Sequence, residues 1–232
     1  MLIRYWMSKP VVTIEKDDAM QRAATLMKEK RIRLLPVVDK GKLCGILSDR
    51  DLKRASASDA TSLDVHELLY LISKIKVADI MTRDVVTVHQ DWTVEEAADL
   101  MLARKISGAP VVNDQGQLCG VITQTDLFKA TLYITGLKKR GFHLAFVLED
   151  TPGSIMEIVN VIREFGGRMA SILSTYERAP TGYRNVYLRF YGVSRERIDE
   201  MLKILKNKAK LRYMVDHREN KRILFNNQLK EA

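Results

Sequence analysis

Two segments of this 232-residue chain carry the same small set of chemically useful residues: Gly45-x-x-Ser48-x-x-Asp51 and Gly120-x-x-Thr123-x-x-Asp126. A glycine lets a backbone or a ligand approach closely, a hydroxyl at the start of a helix can bond a phosphate or sugar oxygen, and free N–H groups there attract anions. Three positions on, a carboxylate can accept hydrogen bonds from ribose hydroxyls. The same spacing also describes a helix N-cap followed by an acidic third residue, so each motif taken singly serves either purpose. Little else in the chain looks reactive. His66, His89, His143 and His217 are scattered without the short spacings of a zinc site. Cys44 and Cys119 sit inside apolar runs with no C-x-x-C, which reads as two small buried hydrophobes rather than a disulfide or metal ligands. Asp17-Asp18 stands where acidic residues support the first turn of a helix, not as an acid–base pair. With no nucleophile–base pair and no metal set, a non-catalytic protein without a bound metal is expected.

The two motifs belong to a longer repetition. Met7-Ser8, Val11-Val12-Thr13, Ile32 and Pro36-Val37-Val38 return as Met81-Thr82, Val85-Val86-Thr87, Ile106 and Pro110-Val111-Val112, 74 residues later, and the motif segments follow at a displacement of 75. Self-similarity at a fixed spacing marks a repeated structural unit. Each copy reads as a short extended segment, a helix, two strands joined by a turn, and a second helix. In the first copy these are Val11 to Ile14, a helix opened by Asp17-Asp18 with Ala23, Ala24, Leu26 and Met27 at core spacing, Leu34 to Val38, Leu43 to Leu47, and a helix from Ser48. In the second, Asp91 opens the helix through Ala97, Ala98, Leu100 and Met101, and Asn113 to Gly116 make the turn. Ala55 to Thr61 reads as a small-residue linker and His66 to Ile75 as a helix.

From Phe142 the pattern changes to βαββαβ: a strand Phe142 to Leu148, a loop Glu149 to Ser154, a helix Ile155 to Phe165 stopped by Gly166-Gly167, strands Arg168 to Tyr176 and Tyr183 to Tyr191, a helix Arg195 to Asn207 and a strand Leu211 to Asp216. That order is the ferredoxin-like arrangement of two helices on an antiparallel sheet. The divisions read as 1–60 and 77–135 for the copies, 61–76 between them, 136–216 for the third region and 217–232 for a tail, in an α+β chain.

Charge and hydropathy narrow the surroundings. The net charge is +9, with 21 Lys+Arg against 18 Asp+Glu over 1–139 and 17 against 11 over 140–232, so most of the excess lies near the end. Lys203, Lys206 and Lys210 fit either a solvated helix face or an anion-attracting patch. No apolar run reaches the length of a membrane span and the first residues lack a signal-peptide core, so a cytoplasmic protein with no membrane partner is expected.

Both copies resemble the CBS domain, and residues 1–135 resemble a tandem CBS pair packed about a pseudo-twofold axis. The features that carry this are Met7-Ser8 and Met81-Thr82, the two Pro-Val-Val runs and the two Gly-x-x-Ser/Thr-x-x-Asp segments. The resemblance implies a regulatory module whose cleft binds an adenine nucleotide such as AMP, ADP or ATP, or S-adenosylmethionine. Carried onto this chain, Asp51 and Asp126 hold ribose and Ser48 and Thr123 contact ribose or phosphate. Thr13, Ile32, Arg33, Thr87, Ile106 and Ser107 would line the base and phosphate pockets, with Ser8, Thr82 and Val121 as further nucleotide-binding residues. Arg33 has the better claim to phosphate, because its counterpart Ser107 is uncharged. Arg50 and Lys53 flank the first motif whereas Gln124, Thr125 and Phe128 stand near the second, which predicts unequal sites with the positive charge in the first copy.

Residues 142–215 resemble an ACT domain on the strength of Leu148 to Ser154, Gly166-Gly167 and the βαββαβ order. ACT domains pair with one another and bind small ligands, often amino acids. This implies a homodimer and a ligand loop of Asp150, Thr151, Gly153 and Ser154. Pro-Gly before a helix is equally a structural turn. A CBS pair joined to an ACT domain resembles acetoin utilisation regulators. The function expected is therefore a ligand sensor acting on a regulated partner protein. The alternatives are a nucleic-acid-binding regulator using the basic C-terminal segment, or a structural dimer adaptor.

Overall fold

A computed structural model describes residues 1–58 and 74–225. The chain divides into two compact units, Met1–Ala130 and Thr131–Ala232, each with its own core. The helix expected over His66 to Ile75 and most of the linker expected from Ala55 fall largely outside the described residues.

In the first unit the chain runs β1 (Ile14–Glu15), α1 (Met20–Lys30), β2 (Leu34–Asp39), β3 (Lys42–Ser48) and α2 (Asp49–Ser58). The second copy repeats the order as α3 (Val77–Ile80), β4 (Val88–His89), α4 (Val94–Arg104), β5 (Gly108–Val112), β6 (Leu118–Thr123) and α5 (Gln124–Ile134). Each copy makes a three-stranded sheet, β1-β2-β3 or β4-β5-β6, with the first pair parallel and the second antiparallel. Three expectations are corrected. Val11 to Thr13 lie before the strand, which holds only Ile14 and Glu15. The helices start at Met20 and Val94 rather than at the acidic residues. Thr93 caps the second, accepting from the Glu96 N–H at 3.2 Å while the Glu96 carboxylate takes the Thr93 N–H, and these bonds hold the Glu96 carboxyl below its usual range. Ala55 to Ser58 continue α2 instead of forming a linker.

The cores do not follow the copies. Ile3 and Met7, which precede the first copy's sheet, are buried among Val88, Val94, Ala97, Met101, Val111 and Ile122 of the second. Val77 is buried among Ile14, Met20, Ala23, Leu35, Val37 and Leu47 of the first, with Ile80 and Met81 packed against the same cluster. Backbone bonds repeat the exchange. The Arg4 N–H donates to Gln90 O at 2.9 Å and the Ala78 N–H to Lys16 O at 2.8 Å; the Ser8 N–H donates to Val121 O at 2.8 Å and the Ile46 N–H to Thr82 O at 2.9 Å. Each head thus crosses to the other copy and lays a methionine on its motif glycine. A Cβ on Gly120 would stand 2.2 Å from Met7 Sδ, and one on Gly45 would stand 2.3 Å from Met81 Sδ.

The second unit runs β7 (Phe142–Glu149), α6 (Ser154–Glu164), β8 (Arg168–Thr175), β9 (Tyr183–Tyr191), α7 (Ile198–Lys208), β10 (Lys210–Asp216) and β11 (Lys221–Leu224). The strand order is β11-β10-β7-β9-β8, antiparallel throughout. Four of these strands and the two helices make the expected ferredoxin-like arrangement, with Phe142, Leu144, Phe146 and Leu148 packed against Ile158, Ile162, Met201 and Leu205. The segment from 217 is not simply a tail, because Lys221–Leu224 pair with Tyr213–Asp216 and Ile223 and Phe225 pack on the core. Four residues with adjacent charges show no usable alternation, so this edge strand has no sequence signature.

If the exchanged heads complete the cores, Met7→Ala should cost roughly 2–5 kcal/mol in urea unfolding, and Met81→Ala less because it is only partly buried. A loss below about 0.5 kcal/mol for Met7→Ala would be an ordinary surface effect and would contradict the exchange.

Candidate functional site

β3 and β6 are short apolar strands that deliver Ser48 and Thr123 to the first residues of α2 and α5. There the motif closes on itself. Asp51 Oδ2 accepts from the Ser48 N–H at 2.9 Å and from Ser48 Oγ at 2.6 Å, and Asp126 Oδ2 accepts from the Thr123 N–H at 3.1 Å and from Thr123 Oγ1 at 2.7 Å. The remaining carboxylate oxygens meet Arg54 Nη2 at 2.7 Å and Lys129 Nζ at 3.0 Å. Both motifs therefore close locally at a helix N-terminus through their carboxylates, and in the first Ser48 Oγ also accepts the Asp51 N–H at 3.3 Å as a cap. That does not remove them from ligand chemistry, since each carboxylate oxygen has lone pairs to spare, but neither motif owes its residues to a ligand alone.

A cavity of about 850 Å³ opens beside the second motif. From β6 and α5 it takes Val121, Thr123, Gln124, Thr125, Asp126 and Lys129; from the first copy it takes Ser8, Pro10, Val11, Val12, Arg31, Ile32, Arg33 and Leu34. The first turn of α2 adds Asp49, Arg50 and Lys53, and the segment before β5 adds Ser107. Of the nucleotide-site residues named from sequence, Ser8, Ile32, Arg33, Ser107, Val121, Thr123 and Asp126 come together here. Thr13, Ser48, Asp51, Thr82, Thr87 and Ile106 do not line this cavity. The crossing of the heads explains the grouping, because Ser8 reaches the cleft through its bridge to Val121.

The charge is placed otherwise than its position in sequence implies. Arg50 and Lys53 follow the first motif, yet they line the cavity that holds the second. Lys53 pairs with Asp49 at 3.3 Å and Lys129 with the buried Asp126. Among the described residues Arg31, Arg33 and Arg50 have no ionic partner, which leaves three guanidinium groups in one cleft. Arg31 is missing from the sequence reading. It is the C-cap of α1, in the left-handed conformation with φ 53°, and the helix end just before Ile32 was its only signal. Lys105 occupies the equivalent place after α4 with φ 54°.

The other candidates are built differently. In the second unit Asp150 is held by Arg184 Nη2 at 2.5 Å and its N–H donates to Gly182 O at 2.9 Å. Gly153, at φ +88°, turns the chain into α6, with Thr151 exposed and Ser154 at the helix start. Cys44 Sγ and Cys119 Sγ face Val37 O and Val111 O at 3.5 and 3.4 Å, and burial pushes both thiols up, so they stay neutral. His89, Asp91 and Asp114 bring possible ligand atoms within 4.8 Å of one another. Hydrogen bonding accounts for that group: His89 Nδ1 accepts the Asp91 N–H, which leaves Nε2–H for Asp114 at 3.2 Å, and Asp91 is paired with Arg4. The basic residues near the end are dispersed, with Lys206 over the Phe225 ring, Lys208 4.0 Å from Glu157 and Arg212 bonded to Asn185. Among the described residues no helix is long and apolar enough to cross a membrane.

The sequence model of the CBS domain matches residues 3–58 and 77–133. An uncharacterised protein of Methanocaldococcus jannaschii is 32% identical over 155 residues, covering 57% of this chain and 92% of that protein. The chain belongs to the CBS-domain family. A CBS domain-containing protein of Dictyostelium discoideum is 36% identical, over 54% of this chain and 88% of its own length. An inosine-5'-monophosphate dehydrogenase of M. jannaschii is 37% identical over 126 residues, but these make up only 22% of that enzyme. Among solved structures, a CBS-domain protein from Agrobacterium tumefaciens shares the fold at a TM-score of 0.50 and 24% identity, covering 56% of this chain and 99% of its own. The CBS domain pair of protein MJ0100, in complex with 5'-methylthioadenosine and S-adenosyl-L-methionine, is 32% identical with a TM-score of 0.49, over 56% of this chain and 95% of that one.

If the hydroxyls act first as caps, Ser48→Ala and Thr123→Ala should each lower stability by about 0.5–2 kcal/mol in urea melts, and Thr123→Ser should restore it. Unchanged midpoints would show that the hydroxyls are held for another purpose.

Proposed function

We propose that the CBS pair is a non-catalytic sensor binding an adenine nucleotide in the cleft of the first unit. The observation that carries this reading is the convergence of Thr123 and the buried Asp126 from one copy with Arg31 and Arg33 from the other and with Arg50 from α2. The carboxylate suits ribose hydroxyls, Ile32 and Val121 offer apolar contact for a base, and three guanidinium groups without acidic partners suit phosphate oxygens. Phosphate-bearing AMP, ADP or ATP fits that charge better than S-adenosylmethionine, whose sulfonium is positive.

The second unit fits an ACT domain in its strand order, and its role in this reading is to pair two chains. Asp150, Thr151, Gly153 and Ser154 form the loop where an amino acid would bind. The Asp150–Arg184 pair makes that loop look first like a structural turn. Occupancy of the cleft would then change how a regulated partner is held, acetoin utilisation being the pathway suggested by domain order. Dispersal of the basic side chains over helix, strand and turn weighs against a nucleic-acid surface.

Isothermal titration with AMP, ADP, ATP and S-adenosylmethionine tests the proposal. One phosphate-bearing adenine nucleotide per chain should bind more tightly than the sulfonium ligand. Arg33→Ala and Arg50→Ala should each weaken it at least about tenfold, the loss of a charge-assisted bond. Asp126→Ala should weaken it more than Asp51→Ala. Two equal sites, or no heat with any of the four compounds, would contradict it.

A further inference from the structure

The two faces of the C-terminal sheet carry different chemistry. Phe142, Leu144, Phe146 and Leu148 of β7 face α6 and α7, so His143 and its alternate neighbours lie on the opposite side of the sheet, where the 3-10 turn Leu137–Lys139 rests against β9 and Lys139 lies over the Tyr191 ring. Directly opposite His143 on β9 is Arg189, and one pair along is Tyr187 opposite Ala145, itself opposite Tyr213 of β10. The rings gather around His143: Tyr213 edge-on with centroids 5.5 Å apart, Tyr187 at 6.3 Å, and His217, on the turn after β10, stacked at 6.3 Å.

Among the described residues no acidic side chain pairs with Arg189. Arg189 is only 6% exposed; its Nε donates to Thr135 O at 2.7 Å, while its buried Nη1 has no partner. His217 Nε2 is likewise buried without a partner. Asp216, whose charge acts on His217, is taken up by Arg195 Nε at 3.3 Å and by the Arg218 N–H at 2.9 Å. A guanidinium cannot shed its proton, and a buried charge without a counter-ion is costly. The effect reaches its neighbours. Burial, then the charges of Arg189 and His217, push the His143 ring down to about 4. Burial, Arg189 and Arg222 lower His217 against the pull of Asp216, and burial raises the Tyr213 hydroxyl.

We propose that the cluster on this side of the sheet is a second ligand site, in which Arg189, His143 and His217, walled by Tyr187 and Tyr213, take a small oxyanion bearing a carboxylate or phosphate group. The anion supplies the counter-charge the cluster lacks, and Arg189 Nη1 and His217 Nε2 are its free donors. Both atoms are buried, so entry requires the His217 ring to turn aside on its loop. The site does not depend on how the CBS cleft is read. The sign of the coupling follows from the lowered ring. A neutral His143 favours the folded state above its unfolded value near 6.5, and that contribution is lost as pH falls towards 4; a bound anion opposes the loss, so binding tightens as pH falls.

The test is NMR titration of the histidine rings of the full chain, assigned with His→Gln variants, in inorganic phosphate, in acetate and in chloride at equal ionic strength. Phosphate or acetate should raise the His143 midpoint by a unit or more relative to chloride, the more effective anion identifying the ligand group. Arg189→Met should abolish the shift; should that variant not fold, His217→Gln must reduce the shift at least threefold. Midpoints for His143 and His217 that are the same in all three anions overturn the proposal.

Discussion

The structure of the first unit depends on one reciprocal contact: a methionine from each head lying on the motif glycine of the other copy, Met7 on Gly120 and Met81 on Gly45. The sulfur sits where a Cβ would be, so both glycines are fixed by close approach. Neither copy closes its core alone. The second buries Ile3 and Met7 from the chain's beginning, and the first buries Val77. Because the heads cross, Ser8 is bonded to Val121 at the edge of the cleft, and the site is composite for the same reason that the cores are.

The motif hydroxyls and carboxylates then carry two duties. Asp51 and Asp126 close the first turns of α2 and α5 whether or not a ligand is present. Capping and the Lys129 pair account for the bonds of Asp126, whereas Arg31, Arg33 and Arg50 line the same cavity with no ionic partner among the described residues. Like charges so placed repel one another, and a polyanionic ligand removes that repulsion.

Repetition, the order of elements and the residues of the motifs were legible because they are local: apolar runs, turn residues and caps lie within a few positions of one another. The crossing of the heads was not, since nothing in Met7-Ser8 says which copy it packs on. Assigning Arg50 and Lys53 to the first site followed chain order, whereas the first turn of α2 lines the cavity of the second motif. Arg31 escaped notice because its importance lies in a left-handed helix end. In the C-terminal unit Phe142 to Leu148 announced a strand, but the cluster around His143 joins residues of three strands and a turn, which only register reveals.

Exchanged heads build one composite cleft, and we propose that a phosphate-bearing adenine nucleotide occupies it. Hydrogen–deuterium exchange of the full chain with and without saturating ATP tests it most directly. Slowed exchange at Met7-Ser8, at Ile32 to Leu34 and at Val121 to Asp126 together, exceeding any change at Thr82 and at Ser48 to Asp51, is the predicted result. Unchanged exchange in all these segments, or protection confined to Asp150 to Ser154, would contradict it.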